Sequence, residues 1–304
     1  MNLKVAVIVP TYNAGHRFSP FLDALCGQTG QFDTVIVDSG SDDATLSLAG
    51  KYHLNVVEIS NEDFNHGGTR QLAVDSLSGV DIVVFLTQDA ILADPGSLDY
   101  ILKPFENNDV AAACGRQIPR KAAGAIESHA RLFNYSDKSF IRSINDVSEF
   151  GLKTAFISNS FAAYRVSALN AVRNFPDNVI FGEDMYVATK MLTAGYKIAY
   201  VAEACVYHSH DYSLRQEMKR YFDMGVFHAR EPWIRQELGG AESEGVKFVF
   251  SEVQYLFSHA FWRIPEGILR TLFRYTGFRL GLMENSLPVR LKVAMAMNKT
   301  YFKR

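Results

Sequence analysis

Three short apolar runs, each closing on a polar station, do most to limit what this chain can fold into. Val5–Val9 leads into Pro10–Thr11–Tyr12–Asn13, Val35–Val37 into Asp38, and Ile82–Leu86 into Thr87–Gln88–Asp89. A parallel strand buried on both faces reads as such an unbroken apolar run. Residues 55–59 supply a further strand. Segments with helical spacing lie between: 18–26, a stretch from about Ala44 that Asp42 or Asp43 can cap, and 65–77. The alternation predicts an α/β fold, a doubly wound, mostly parallel Rossmann-like sheet. Open sheets of this kind bind ligands at the carboxyl ends of their strands, where the polar stations fall.

The second half changes character. Residues 111–114 read as strand, 122–135 as helix, and 155–160 and 161–166 as β-like segments. Residues 185–194 read as a helix closing at Gly195, and 198–201 with 204–208 as a last strand region. Beyond Ser213 the pattern is helical, broken by Pro232, Gly239–Gly240, Pro265 and Pro288. With 304 residues, 48% of them hydrophobic, the chain can bury a full core. A net charge of −2 argues against a general nucleic-acid binder. The charge is uneven: nine basic and two acidic residues lie from Arg263 to Arg304, leaving 22 basic and 31 acidic before them. Three cysteines without CxxC spacing indicate neither a zinc knuckle nor a disulfide framework. The first run lacks the basic start and cleavage site of a secretory signal, and no apolar stretch approaches the ~20 residues of a spanning helix. The expectation is a cytoplasmic protein, attached at most to the inner face of the membrane.

The polar stations carry the chemistry. Pro10, Thr11, Tyr12 and Asn13 form a loop able to set amides and a ring against a nucleotide base, and equally an ordinary turn. Asp38 can accept from a base or ribose, or cap a turn. In Asn65–His66–Gly67–Gly68–Thr69–Arg70, two glycines let backbone approach a ligand, a starting helix attracts anions, and Arg70 offers a fork for a phosphate or sugar oxygen. Gln88 flanks Asp89, an oxygen ligand suited to a divalent cation such as Mg²⁺ or Mn²⁺. His208 and His210, two apart in an extended segment, can share one face and complete a metal shell, or simply pack. Glu183 and Asp184 open a helix, a commonplace for acids, yet adjacent carboxylates in a cleft raise one another's pKa as a general base requires.

Together these residues resemble the family 2 glycosyltransferases of the GT-A fold. Val-Ile-Val-Pro-Thr-Tyr-Asn, Val-Asp-Ser-Gly-Ser-Asp-Asp-Ala-Thr, the strand ending at Asp89 and Gly-Glu-Asp carry the likeness over about residues 3–213. Residues 63–70, Thr-Gln-Asp-Ala (87–90), Gly-Arg-Gln-Ile-Pro (115–119) and His-Ser-His (208–210) look like bacterial rhamnosyltransferases, which use dTDP-β-L-rhamnose in cell-surface polysaccharide synthesis. The resemblance implies a catalytic domain over 1–213, with a nucleotide-sugar half (1–110) and an acceptor half (111–213), then a helical region over 214–304. It implies nucleotide contacts from Thr11 and Asp38, metal at Asp89, the diphosphate–sugar region at Arg70, and Asp184 as base with Glu183 as partner or alternative. Arg116, Arg120, Arg131 and Tyr135 are candidates for the acceptor side. The family's Asp-x-Asp metal motif is broken here by Thr87, a gap that His208 or His210 can fill.

The expected activity is inverting sugar transfer to a saccharide acceptor, with a UDP-sugar as the alternative donor. A nucleotidyltransferase fits less well, because the loop after the first strand lacks the Gly-rich, Lys/Arg-bearing character such enzymes use. A non-catalytic binding protein leaves Glu183–Asp184 without a role. From Ile264 to Met283, apolar residues alternate with Arg270, Arg274 and Arg279. That pattern suits a membrane-interface helix meeting a lipid-linked acceptor, or a packing or dimer contact.

Overall fold

The computed structural model describes residues 3–30, 32–240 and 242–303. These form strands β1 (Val5–Thr11), β2 (Asp33–Asp38), β3 (Asn55–Glu58), β4 (Ile82–Leu86), β5 (Ile91–Leu92), β6 (Val110–Ile118), β7 (Phe140–Arg142), β8 (Phe161–Arg165) and β9 (Lys197–Tyr207). All join one sheet, ordered β3-β2-β1-β4-β8-β6-β9-β5, with β7 on β9. The first four run parallel. β8 is antiparallel to β4 and β6, while β9 runs parallel to β6.

The apolar runs make the centre of the sheet because helices cover both faces. Ala6–Val9 and Ile82–Leu86 are fully buried, and helix Phe18–Cys26 buries Phe18, Phe21, Leu22 and Leu25, one stripe at helical spacing. Registers decide what this does for function. Thr11 pairs with Asp38 across β1 and β2, and Ile8 with Phe85 across β1 and β4. The carboxyl ends of β1, β2 and β4 therefore share one edge.

Two compact units divide the chain. The first holds the chain up to Ile118, Tyr135–Asp177 and Glu183–His208, and thus the whole sheet. The second holds Pro119–Asn134, Asn178–Gly182 and the chain from Ser209. The sequence reading put 119–134 and 178–182 in the catalytic half. Helix Ala125–Asn134 instead presents Ile126 to Leu256 and Ala260, and His129 bonds Ser251. Within the second unit helices Leu214–Arg230 and Ile264–Leu282 lie backbone to backbone. A Cβ on Gly277 would stand 2.2 Å from the Met218 carbonyl oxygen.

Two local expectations change. Residues 155–160 are not strand: Gly151–Ala155 is a 3-10 turn and only Phe161–Arg165 extends. The loop between them uses its polar groups on side chains rather than on a ladder. The expected segments 198–201 and 204–208 merge into one strand that ends at Tyr207, with a bulge where Gly115 pairs Val201 and Arg116 pairs Cys205.

Candidate active site

At the shared edge Asp38 is fully buried. Its carboxylate accepts from Thr11 Oγ1 at 2.9 Å, from Ser41 N at 2.7 Å and from Ser41 Oγ at 2.6 Å. Ser41 Oγ accepts from Asn13 N, and Asn13 Oδ1 accepts from Asp42 N. Asp38, expected at the nucleotide, ties the loops after β1 and β2 together through these bonds. Gln88 does the same between β1 and β4, accepting from Tyr12 N at 2.8 Å and donating to Tyr12 O at 3.0 Å. Pro10 is held within β1 beside Val37. What this scaffold displays is the Tyr12 ring, 49% exposed, on a backbone clamped from both sides.

The His-Gly-Gly-Thr-Arg segment also differs from expectation. Asn65 caps the helix His66–Asp75, its side chain accepting from Gly68 N. Gly67 makes close approach not to open space but to Pro176, whose carbonyl oxygen a Cβ would meet at 1.7 Å. Gly67→Ala should therefore destabilise the fold by roughly 1–3 kcal/mol in urea unfolding; an unchanged midpoint would contradict this packing. Arg70 is buried, donates to His66 O at 2.6 Å and pairs with Glu183 at 3.1 Å. Its guanidinium faces the acid pair rather than an open phosphate site.

The acid pair is asymmetric. Burial alone would raise Glu183, but Arg70, His66 and the Asn159 amide outweigh it and hold its carboxyl below the usual value. Asp184 is half-buried; burial and the neighbouring Glu183 charge push it up to about 7. Asn159 organises both. Its Nδ2 donates to Glu183 Oε1 at 2.9 Å, its backbone N–H to Asp184 Oδ2 at 3.3 Å, and its Oδ1 accepts from Tyr164 at 2.7 Å. Burial raises the Tyr164 phenol well above its ordinary range, so it stays a donor. One ionised and one titratable carboxyl side by side are what a general base near neutral pH needs.

Asp89, His208 and His210 each offer a ligand atom, all within 4.8 Å of one another. His208 Nε2 stands 3.4 Å from Asp89 Oδ1, and His208 Nδ1 bonds Gln117 Oε1 at 2.8 Å. Two imidazoles and one carboxylate fit a divalent transition metal, Mn²⁺ better than Mg²⁺. The two histidines that stand by Asp89 in place of a carboxylate at Thr87 come from the residues directly after β9.

The four acceptor candidates divide. Arg116 lies in β6, and Tyr135 is buried edge-on to Phe156 at 5.2 Å, a packing role that corrects its expected place on an acceptor surface. Arg120 and Arg131 belong to the second unit. Sequence reasoning missed Gln117 and Asn159. Gln117 stood inside a motif already noted, Gly-Arg-Gln-Ile-Pro. Asn159 had no signal beyond its Ser-Asn-Ser setting, which read as strand.

The family profile described as Glycosyl transferase family 2 matches residues 6–173. The chain belongs to glycosyl transferase family 2 and is a glycosyltransferase with the GT-A fold. It is 47% identical over 302 residues to the O-antigen chain rhamnosyltransferase RfbN of Salmonella typhimurium, covering 99% of this chain and 96% of that protein. To WbaN, the O-antigen chain rhamnosyltransferase of Salmonella anatum, it is 48% identical over 298 residues, 97% of this chain and 95% of that one. In fold it is similar to the mannosyltransferase PcManGT of Pyrobaculum calidifontis, solved with GDP-Man and Mn²⁺. The TM-score is 0.62 at 19% identity, over 93% of this chain and 86% of that one.

Proposed function

We propose that this enzyme transfers L-rhamnose from dTDP-β-L-rhamnose to a saccharide acceptor in O-antigen synthesis, with inversion at the anomeric carbon. Two curated rhamnosyltransferases alike over nearly their whole length support the sugar and the product. The observation that carries the chemistry is the divided acid pair. The acceptor oxygen attacks C1 of the donor as its proton passes to the Asp184 carboxylate. The C1–oxygen bond to the diphosphate breaks, and the nucleoside diphosphate leaves. Glu183, ionised and held by Arg70 and Asn159, keeps Asp184 basic. Tyr12 and the loops tied by Asp38 and Gln88 receive the nucleotide. A cation held by Asp89, His208 and His210 would supply charge stabilisation at the diphosphate.

A donor panel tests this. Purified protein with Mn²⁺ and an O-antigen-repeat acceptor should release nucleoside diphosphate fastest from dTDP-rhamnose. A UDP-sugar preferred over dTDP-rhamnose would overturn the donor assignment, and pyrophosphate release the reaction class.

We further infer that the acceptor is lipid-linked and that the second unit meets the membrane interface. Arg270 and Arg274 are largely covered, 12% and 11% exposed, and pair with Glu217, Glu252 and Glu266, not turned outward as a basic amphipathic face requires. Apolar residues face out instead: Phe250, Phe257, Phe261, Trp262, Leu272 and Tyr275 are all more than half exposed. Aromatics of this kind anchor at headgroup level. No helix among the described residues is long and apolar enough to cross a membrane. Phe257→Ser/Trp262→Ser protein should lose flotation on anionic liposomes that the parent protein shows. Equal flotation, or a concentration-dependent dimer that the double variant abolishes, would reassign the face.

A further inference from the structure

We propose that Gln117 is a positioning residue for cation binding, fixing the His208 ring so that Nε2 presents its lone pair on the side of Asp89. The proposal rests on the Asp89–His208–His210 site described above.

The chain of bonds runs outward from the ligand. His208 and Gln117 are each 2% exposed, so neither is oriented by solvent. The His208 backbone N–H donates to Ile118 O at 3.0 Å, which seats the residue beside the end of β6. Gln117 Nε2 donates to Ser158 Oγ at 3.0 Å, which turns its carbonyl toward His208 Nδ1. A carbonyl oxygen can only accept, so Nδ1 must carry the proton. Nε2 is then the ligand nitrogen, and it is the one 3.4 Å from Asp89 Oδ1. An imidazole that donates from its far nitrogen is the usual arrangement for a metal-bound histidine, since the partner sets both tautomer and ring angle. Gln117 does here what a carboxylate or backbone carbonyl does at other metal sites.

The same loop serves the acid pair. Ser158 orients Gln117, and Asn159, the next residue, bonds both Glu183 and Asp184. A single turn of chain thus indexes the cation ligand and the base to one another.

The test measures Mn²⁺ affinity by electron paramagnetic resonance, without donor or acceptor, and the His208 tautomer by ¹⁵N NMR of histidine-labelled protein, assigned with His208→Asn. Metal-free parent protein should show His208 protonated at Nδ1. Gln117→Leu should weaken Mn²⁺ binding about 10–100-fold and lose the single tautomer. Gln117→Glu, which still accepts from Nδ1, should stay within a few-fold of the parent and so separates positioning from general packing. Asp89→Ala is the control. If Asp89→Ala weakens Mn²⁺ binding and Gln117→Leu does not, Gln117 has no positioning role and the metal site stands. If neither changes it, the metal site itself is wrong. Should Gln117→Leu fail to fold, an Nε2-protonated His208 in the parent, or a folded Gln117→Glu that binds more than tenfold worse, overturns the proposal.

Discussion

Asp184→Asn should lower kcat about 10²–10⁴-fold, the usual contribution of a positioned general base, while donor affinity and the unfolding midpoint stay close to those of the parent. The amide keeps the shape, and its one oxygen can still accept the 2.8 Å bond that Met185 N gives Asp184 Oδ1, giving up the longer 3.3 Å bond from Asn159 N to Oδ2, but it cannot take a proton. Turnover within a few-fold of the parent would remove Asp184 from the reaction. Glu183→Gln separates the two acids. Without the neighbouring charge Asp184 loses the second cause of its raised pKa, so the acidic limb of the activity profile should move to lower pH while burial keeps part of the shift.

Arg70 carries the second large effect, on folding. It and Glu183 form a pair whose side chains are each 6% exposed. Removing one partner of such a pair leaves a buried charge and costs about 3–5 kcal/mol. Arg70→Met should therefore lower stability by that amount in urea unfolding at pH 7.5, and the double variant with Glu183→Gln should recover much of it. A double variant no more stable than Arg70→Met would contradict the pairing. The pH signs of the two acids oppose each other. Glu183, held below its ordinary 4.5, adds stability above that pH and loses it as pH falls through its folded value. Asp184, raised from 3.8 to about 7, adds stability below about pH 4 and loses it as pH rises through 7.

The parallel half of the sheet was legible because β1, β2 and β4 are buried on both faces, which forces continuous apolar sequence. The stations after them were legible for the same reason, since a polar residue ending such a run must face the edge. Their roles were not. Asp38, Gln88 and Gly67 look alike in sequence whether they touch a ligand or hold another loop, and only the partners at Thr11, Tyr12 and Pro176 decide. Asn159 and Gln117 act through neighbours 24 and 91 residues away along the chain, separations with no periodic trace. For residues 264–282 the spacing left a membrane face and a packing contact equally open, because it does not reveal that Glu217 and Glu252 hold Arg270 and Arg274 inward while Arg279 stays exposed.

The most direct measurement is the pH dependence of single-turnover transfer from the preferred donor, from pH 5 to 9, for the parent and for Asp184→Asn. A base titrating near 7 predicts a rate that rises tenfold per pH unit below about 7 and levels above it, with the limb absent in the variant. A parent profile flat across that range, or an acidic limb unchanged in Asp184→Asn, would contradict the assignment of the divided carboxyl pair as the proton acceptor.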